Sequence, residues 1–517
     1  MPLETALNLV VRLAARRMMQ RQRTGEAAEL SLDARVVEGA RGHGHAVVIG
    51  SSLAGLTAAR ALANFMDEVT VVERDWLPRG PGRRRGVPQA RHTHTLTATA
   101  HQGLDRLFPG IRHDLARAGA VHVRAPEDLL TLGPAGWLPR FDADLTVISA
   151  GRDLIDWTVR DRLRADPRVG FLPRHEAVAL ESGPQDTVTG VWVRGRDRSA
   201  PEGWGRRRLL AAEFVVDASG RGSHAPEWLA RLGYPVPEES VVDAGTSYAT
   251  TLYAPPVGHV ADFAGLLLLP SPHDPRRAVL APVEGGRWSV SVAAEGAPPA
   301  DHTELLDAAR DLRHPLLSDL IEAATPLGPV YTCRGSSRWR HYERLRRFPD
   351  QFLVVGDALA ALDPAHGQSM TLAVESAVVL DQMLRAHGTA VGIGRRLRRA
   401  LGHRVAPAWR PARYGEGYAA RLAVAAARGD RRAAAALLAS AETLAPPRPL
   451  SLRAALGIRR ATAPAAPPSL THGTRRRRPA SASAPAIGVA TGSARPRPTG
   501  SSAHWPAAAP AGERRRP

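Results

Sequence analysis

The apolar positions change period several times along the chain. Ala46-Val-Val-Ile is an unbroken apolar run ended by Gly50, the pattern of a central parallel strand buried on both faces. Leu53 to Asn64 follow helical spacing, and Val69-Thr-Val-Val-Glu73 reads as the next strand. Phe214-Val-Val and Gln351-Phe-Leu-Val-Val repeat the buried-strand pattern. Helices are expected over Gly151–Arg160 and from Gln368 to Leu384. The second has a buried stripe of Met370, Val374, Ala377 and Leu384, and Gly388 ends it. Ala264–Pro270 and Trp288–Val292 read as strands of another sheet.

From His45 to about Gly388 this alternation is that of an α/β protein. Before it, Leu3, Leu7, Val10, Val11, Ala14 and Met18 recur at helical spacing, interleaved with Arg12, Arg16, Arg17, Arg21 and Arg23. That basic amphipathic helix lies on the body or is a start-site extension; the sharper reading is a membrane-surface or partner helix. After Gly388, two Ala- and Arg-rich helices are expected, broken at Gly429. From Pro446 the chain turns to Pro, Ala, Ser, Thr and Arg, a composition that cannot offset its ordering entropy and reads as disordered.

Composition narrows the chemistry. No apolar run approaches the ~18–20 residues of a membrane span. No secretory signal is apparent, and Cys333 is the sole cysteine, so an internal disulfide is excluded and a cytoplasmic home expected. No metal site is expected, and there is no lysine, which excludes lysine Schiff-base chemistry and a lysine-bearing phosphate loop. The net charge of +19 resembles a nucleic-acid signal. The tail alone carries thirteen arginines against one acid, Glu513, so the body is ordinary and no specific nucleic acid is expected.

Three stretches carry candidate chemistry. The first is Gly50-x-Ser52-x-x-Gly55 between strand and helix, followed about twenty residues on by Glu73. Gly50 permits the tight turn, Ser52 stands where a second glycine is usual, and the helix amides face a pyrophosphate. Glu73 can accept ribose hydroxyls, which points to FAD or NAD rather than NADP. The second is Val215-Val-Asp-Ala-Ser-Gly-Arg-Gly-Ser223, with Asp217 at a strand end. The third is Val354-Val-Gly-Asp, then Pro364, Gly367, Gln368 and Ser369. It delivers a carboxylate, Asp357, to ribityl hydroxyls and a helix N-terminus to the flavin edge.

In this order the motifs resemble class A flavoprotein monooxygenases of the para-hydroxybenzoate hydroxylase fold. Arg85-Gly-Val-Pro-Gln-Ala-Arg-His-Thr-His-Thr-Leu96, Asp217–Ser223, Val242–Thr250 and Pro282–Trp288 are further similar to the flavin epoxidases of polyether ionophore pathways. The likeness runs from about His45 to Leu384. It implies a Rossmann-like FAD-binding domain in three pieces (45–125, 146–240 and 335–388) and an inserted β-sheet substrate domain in two (126–145 and 241–334). The extension 1–44, C-terminal helices 389–445 and the tail 446–517 complete the chain. The implied FAD contacts are Gly50, Ser52, Gly55, Glu73, Arg152, Asp217, Gly356, Asp357, Pro364, Gly367, Gln368 and Ser369. Two departures stand out: Ser369 replaces a glycine, and His366 stands where the epoxidases have tyrosine.

The implied activity is oxygen transfer from O2 through a C4a-hydroperoxyflavin to an apolar secondary metabolite, by epoxidation or hydroxylation. NAD(P)H, or a flavin reductase partner, supplies electrons. His92, His94 and His366 are the candidate catalytic groups, with ring positioning favoured over acid–base work for the first two. No base is evident, which leans toward alkene epoxidation or another electrophilic oxygenation. A halogenase would need a lysine and a Trp-x-Trp-x-Ile-Pro run, both missing here. The alternatives are an FAD-dependent reductase acting on a double bond and a flavin-binding protein without turnover.

Overall fold

The computed structural model describes residues 44–200, 203–243, 245–364, 367–389, 392–409 and 416–442. The N-terminal extension before Gly44, His366 and the tail from Pro446 lie outside the described residues.

Five strands form a parallel sheet. In chain order they are β1 (His45–Ile49), β2 (Glu68–Glu73), β3 (Val169–Pro173), β4 (Phe214–Asp217) and β5 (Phe352–Val354). Their spatial order is β5-β4-β1-β2-β3, every neighbouring pair parallel. The apolar run of β1 therefore lies between strands on both sides, and Ala46, Val47 and Val48 have no exposed surface. Helix α1 (Leu53–Leu62) covers one face and packs on α3 (Ser369–His387); α2 (Arg152–Arg164) also packs on α1. Met370, Val374, Ala377 and Leu384 of α3 are all buried. Gly388, with a φ of 62°, closes that helix by donating its N–H to the Leu384 carbonyl.

A second, eight-stranded sheet is built from two distant parts of the chain. Its main path runs 325–326, 246–254, 287–295, 277–283, 265–268, 129–133, 136–137, and Tyr331–Arg334 also pairs with Thr246–Ala254. One face buries Ala249, Tyr253, Val290 and Val292 against Leu305 and Leu317 of two helices, His302–Arg310 and Leu316–Glu322. By strand alternation the other face carries Tyr248, Thr250, Ser289 and Ser291. Val241 and Val242 do not join it: Glu239–Val242 pairs with Ser337–Arg340 in a separate three-stranded sheet.

The C-terminal pair, Glu416–Ala427 and Arg431–Glu442, turns at Gly429, whose φ is 91°. Asp430 caps the second helix through the amides of Arg432 and Ala433. Leu422, Ala425 and Ala433 seat the pair on Leu138 and Phe141, beside the edge of the eight-stranded sheet. Among the described residues no helix is long and apolar enough to cross a membrane.

Candidate functional site

Because β5, β4, β1 and β2 are adjacent and parallel, their carboxyl ends open on one edge, where α/β sheets hold ligands. The three glycine-bearing stretches thus converge, although more than 300 positions separate Gly50 from Gly356. Gly50 has a φ of +101°, and a Cβ there would stand 2.6 Å from the Ala218 carbonyl oxygen of the neighbouring loop. A Cβ on Gly55 would fall 1.9 Å from the Gly50 oxygen, so α1 begins tight against the turn. Ser52 precedes α1 without capping it through its side chain, which leaves the first helical amides without a side-chain acceptor.

Beneath this turn lies a buried charge cluster. Arg84 donates to the Ser51 hydroxyl at 2.9 Å, to Glu73 at 3.1 Å and to Asp156 at 2.8 Å. Arg152 donates to Asp156 at 2.8 Å and to the Ser52 hydroxyl at 2.7 Å. Ser52 in turn donates weakly to Asp156, at 3.3 Å. Burial pushes the Asp156 carboxyl up, but the charges of Arg152 and Arg84 outweigh it and hold the group below the usual carboxylate range. Glu73 accepts the Ser51 amide at 3.0 Å, the Ser51 hydroxyl at 2.6 Å and the Asp75 amide at 2.8 Å. Its carboxylate therefore organises the turn with four donors, counting Arg84.

Arg84, Asp156 and Ser51 are absent from the sequence-derived set. Asp156 was findable, since it stands four residues after Arg152 on one helix face. Arg84 was not: it meets Asp156 across 72 positions of chain.

At the other end the groups are differently arranged. Asp217 is fully buried, and its oxygens accept the Ser219 amide at 2.9 Å and the Ser223 hydroxyl at 2.5 Å. It shapes its own loop, and burial pushes its carboxyl up. Asp357, just past β5, is half-buried and accepts no hydrogen bond from any described residue; burial raises its carboxyl too. Pro364 and Gly367 are exposed, and Gln368 and Ser369 are half-buried at the start of α3. The Tyr248 hydroxyl of the second sheet donates to Asp363, one residue before Pro364.

The two histidines go separate ways. His92 Nδ1 shares a hydrogen bond of 2.9 Å with the Thr250 hydroxyl. Thr250 is bonded to Ser291 at 2.6 Å, Ser291 to Thr93 at 2.9 Å, and Thr93 to Ser289 at 2.8 Å. This hydroxyl chain joins the 92–93 loop to the polar face of the second sheet. Burial, then the charges of Arg83 and Arg91, lower the His92 pKa. His94 Nε2 donates to the Gln89 carbonyl at 2.8 Å, which fixes the Nε2–H tautomer. Burial, then the charge of Arg152, brings His94 down to about 4. Its ring is neutral at pH 7 and has no acidic proton to give there.

No protein-family model matches the chain. Protein Rv3254 of Mycobacterium tuberculosis is 35% identical over 379 residues, covering 71% of this chain and 78% of that protein. A kynurenine 3-monooxygenase of Salinispora tropica is 29% identical over 363 residues, 66% of this chain and 72% of the enzyme. Among solved structures, the flavin-dependent brominase Bmp2 superposes with a TM-score of 0.57 at 15% identity, over 81% of this chain and 98% of its own. That likeness is one of fold. The chain belongs to one family with the mycobacterial Protein Rv3254 and carries the α/β fold of the FAD-dependent monooxygenases.

Proposed function

We propose that the chain is an FAD-dependent monooxygenase that passes one oxygen atom of O2 to a small organic molecule. The substrate lies between the loops of the parallel sheet and the hydroxyl-bearing face of the eight-stranded sheet. One observation carries this reading: the ends of β1, β2, β4 and β5 open together at a single edge, charged and closed at one end, with a carboxylate at the other that no described residue partners.

The residues suit the cofactor. The first amides of α1 offer donors for a pyrophosphate. Arg152 and Ser52 stand beside them. Asp357 has a carboxylate that a ribityl hydroxyl would satisfy, and the space beside Gly220, Gly222 and Gly367 is open within 4 Å. The start of α3, where Gln368 makes no side-chain cap, suits the electron-rich edge of a flavin ring. Bound FAD supplies the activation of oxygen and its transfer.

The chain's own residues bind, orient and keep the site dry. Glu73 and Arg84 hold the phosphate turn rigid. His94, neutral and tied to Gln89, positions the 89–96 loop. The hydroxyls of Thr250, Ser289 and Ser291 can each give or take a proton, so they favour a substrate with an apolar body and at least one polar group. That shifts the balance from epoxidation of a plain alkene toward hydroxylation, in keeping with the kynurenine 3-monooxygenase relatives. NAD(P)H is the proposed electron donor, its phosphates drawn to the exposed Arg83, Arg85 and Arg91; a reductase delivering reduced flavin is the other route.

The test starts with the purified full-length chain. It is expected to be yellow or to take up added FAD, and to consume NADH or NADPH. With isotopically labelled O2 and a panel of aryl and polyene candidates, products should gain one labelled oxygen. A colourless folded protein that ignores micromolar FAD sinks the proposal, and product formed equally well without O2 replaces oxygen transfer by reduction.

A further inference from the structure

A second cleft, of about 320 Å³, opens at the 283–287 hairpin end of two central strands of the eight-stranded sheet. None of its lining residues belongs to the loops at the parallel-sheet edge. Its walls mix polar backbone with the apolar side of Val121, Phe263, Leu280, Val283 and Trp288. The polar lining residues are Arg287 and His259, and among the described residues no carboxylate lines the space.

Arg287 is held in one orientation. Its Nε donates to the Glu284 carbonyl at 2.9 Å and its Nη2 to the Glu284 carboxylate at 3.0 Å. Glu284 is itself fixed, accepting the Gly151 amide at 2.8 Å through its other oxygen. Nη1 of Arg287 makes no hydrogen bond to any described residue. The His259 ring stands edge-on to Trp288, at 84° with centroids 4.9 Å apart. The covering loop, 255–264, is tied down where Arg140 donates to Asp262 at 2.7 Å, Arg140 also donating to the Glu127 carbonyl. On its outer side Val257 and Val260 are exposed.

We infer that this cleft binds an apolar carboxylate of about the size of a two-ring aryl acid. The volume lies at the small end of ligand pockets, roughly 300–1,000 Å³, and suits a two-ring body. The apolar side chains of the walls gain by burying rings. A guanidinium already held on two of its nitrogens presents the third to an anion at little ordering cost, and a charge-assisted bond of that kind is about twice as strong as a neutral one. A phosphate, with more charge and more acceptor atoms, would leave most of them unpaired among these walls. The inference goes beyond the oxygen-transfer reading and stands whether or not the chain holds flavin.

Isothermal titration calorimetry of the full chain with naphthoate, and with naphthamide as its neutral isostere, tests it. Naphthoate is expected to bind at least about tenfold more tightly than naphthamide. Arg287→Gln should remove that preference, weakening naphthoate about tenfold and leaving naphthamide unchanged. Ala264→Phe, which fills the cleft, should abolish binding of both. Thermal unfolding checks that each variant folds; if Ala264→Phe does not, the acid–amide comparison with Arg287→Gln still decides. No binding of naphthoate at millimolar concentration, equal affinity for acid and amide, or unchanged affinity in both variants would each overturn the inference.

Discussion

The two ends of the parallel-sheet edge solve opposite problems. Under the Gly50–Gly55 turn, Glu73, Arg84, Arg152 and Asp156 satisfy one another, so that buried charge cluster is complete without any ligand. Around Asp357 the protein leaves a carboxylate that no described residue partners, and α3 begins without a side-chain cap from Gln368. The first arrangement gives rigidity and the second keeps capacity for something from outside. A binding crevice needs both, because a ligand gains most where the walls are fixed and their polar groups are still free.

The comparison breaks most decisively if the charged end proves dispensable. Arg84→Ala leaves Asp156 and Glu73 short of a buried partner and should cost about 3–5 kcal/mol, read as a large fall in unfolding temperature. An unfolding temperature within a degree or two of the parent's (about 0.5 kcal/mol) would mean the cluster is not structural. Next comes pH. His94 is lowered from 6.5 to about 4 in the folded chain, so the folded state binds fewer protons in that window. Its contribution is complete above pH 6.5 and is lost as pH falls toward 4, by up to about 3 kcal/mol. Denaturant unfolding across that range should show a slope that His94→Gln flattens.

At the other end the signs should differ. Asp357→Asn removes a desolvated carboxylate, so stability should hold or rise, while FAD affinity falls about tenfold, measured by flavin fluorescence. A loss of stability with unchanged flavin affinity would reverse the assignment of the two ends. The smallest effect belongs to the hydroxyl chain. Thr250→Val breaks the links to His92 and Ser291 and should cost about 1 kcal/mol of stability, with its larger consequence in the proton behaviour of His92, visible by NMR titration.

The parallel strands were readable because a strand buried on both faces is a continuous apolar run, as in Ala46–Ile49 and Phe214–Val216. Glu73, Asp217 and Asp357 were readable as strand-end carboxylates, but not what each does there. Asp217 turns inward to its own loop, while Asp357 does not, and nothing in the local pattern separates them. Arg84 is one of several arginines between 79 and 91 that the local sequence does not tell apart, and its side chain is 4% exposed. The hydroxyl-bearing face of the second sheet was not legible in the sequence. Its hydroxyls occupy alternate positions of Thr246–Ala254 and Arg287–Glu295, and only pairing across strands gathers Thr250 opposite Ser291.

The interlacing of the two sheets fixes the order in which the chain can assemble. Leu129–Gly133 finds its parallel neighbour only when Gly265–Leu268 has been made, and β4 receives its outer neighbour β5 later still. A nascent chain leaving the ribosome must therefore carry two unfinished sheets at once, with open edges exposed to other molecules. Neither sheet should survive being cloned alone, and chaperone demand during synthesis should peak before residue 352 emerges.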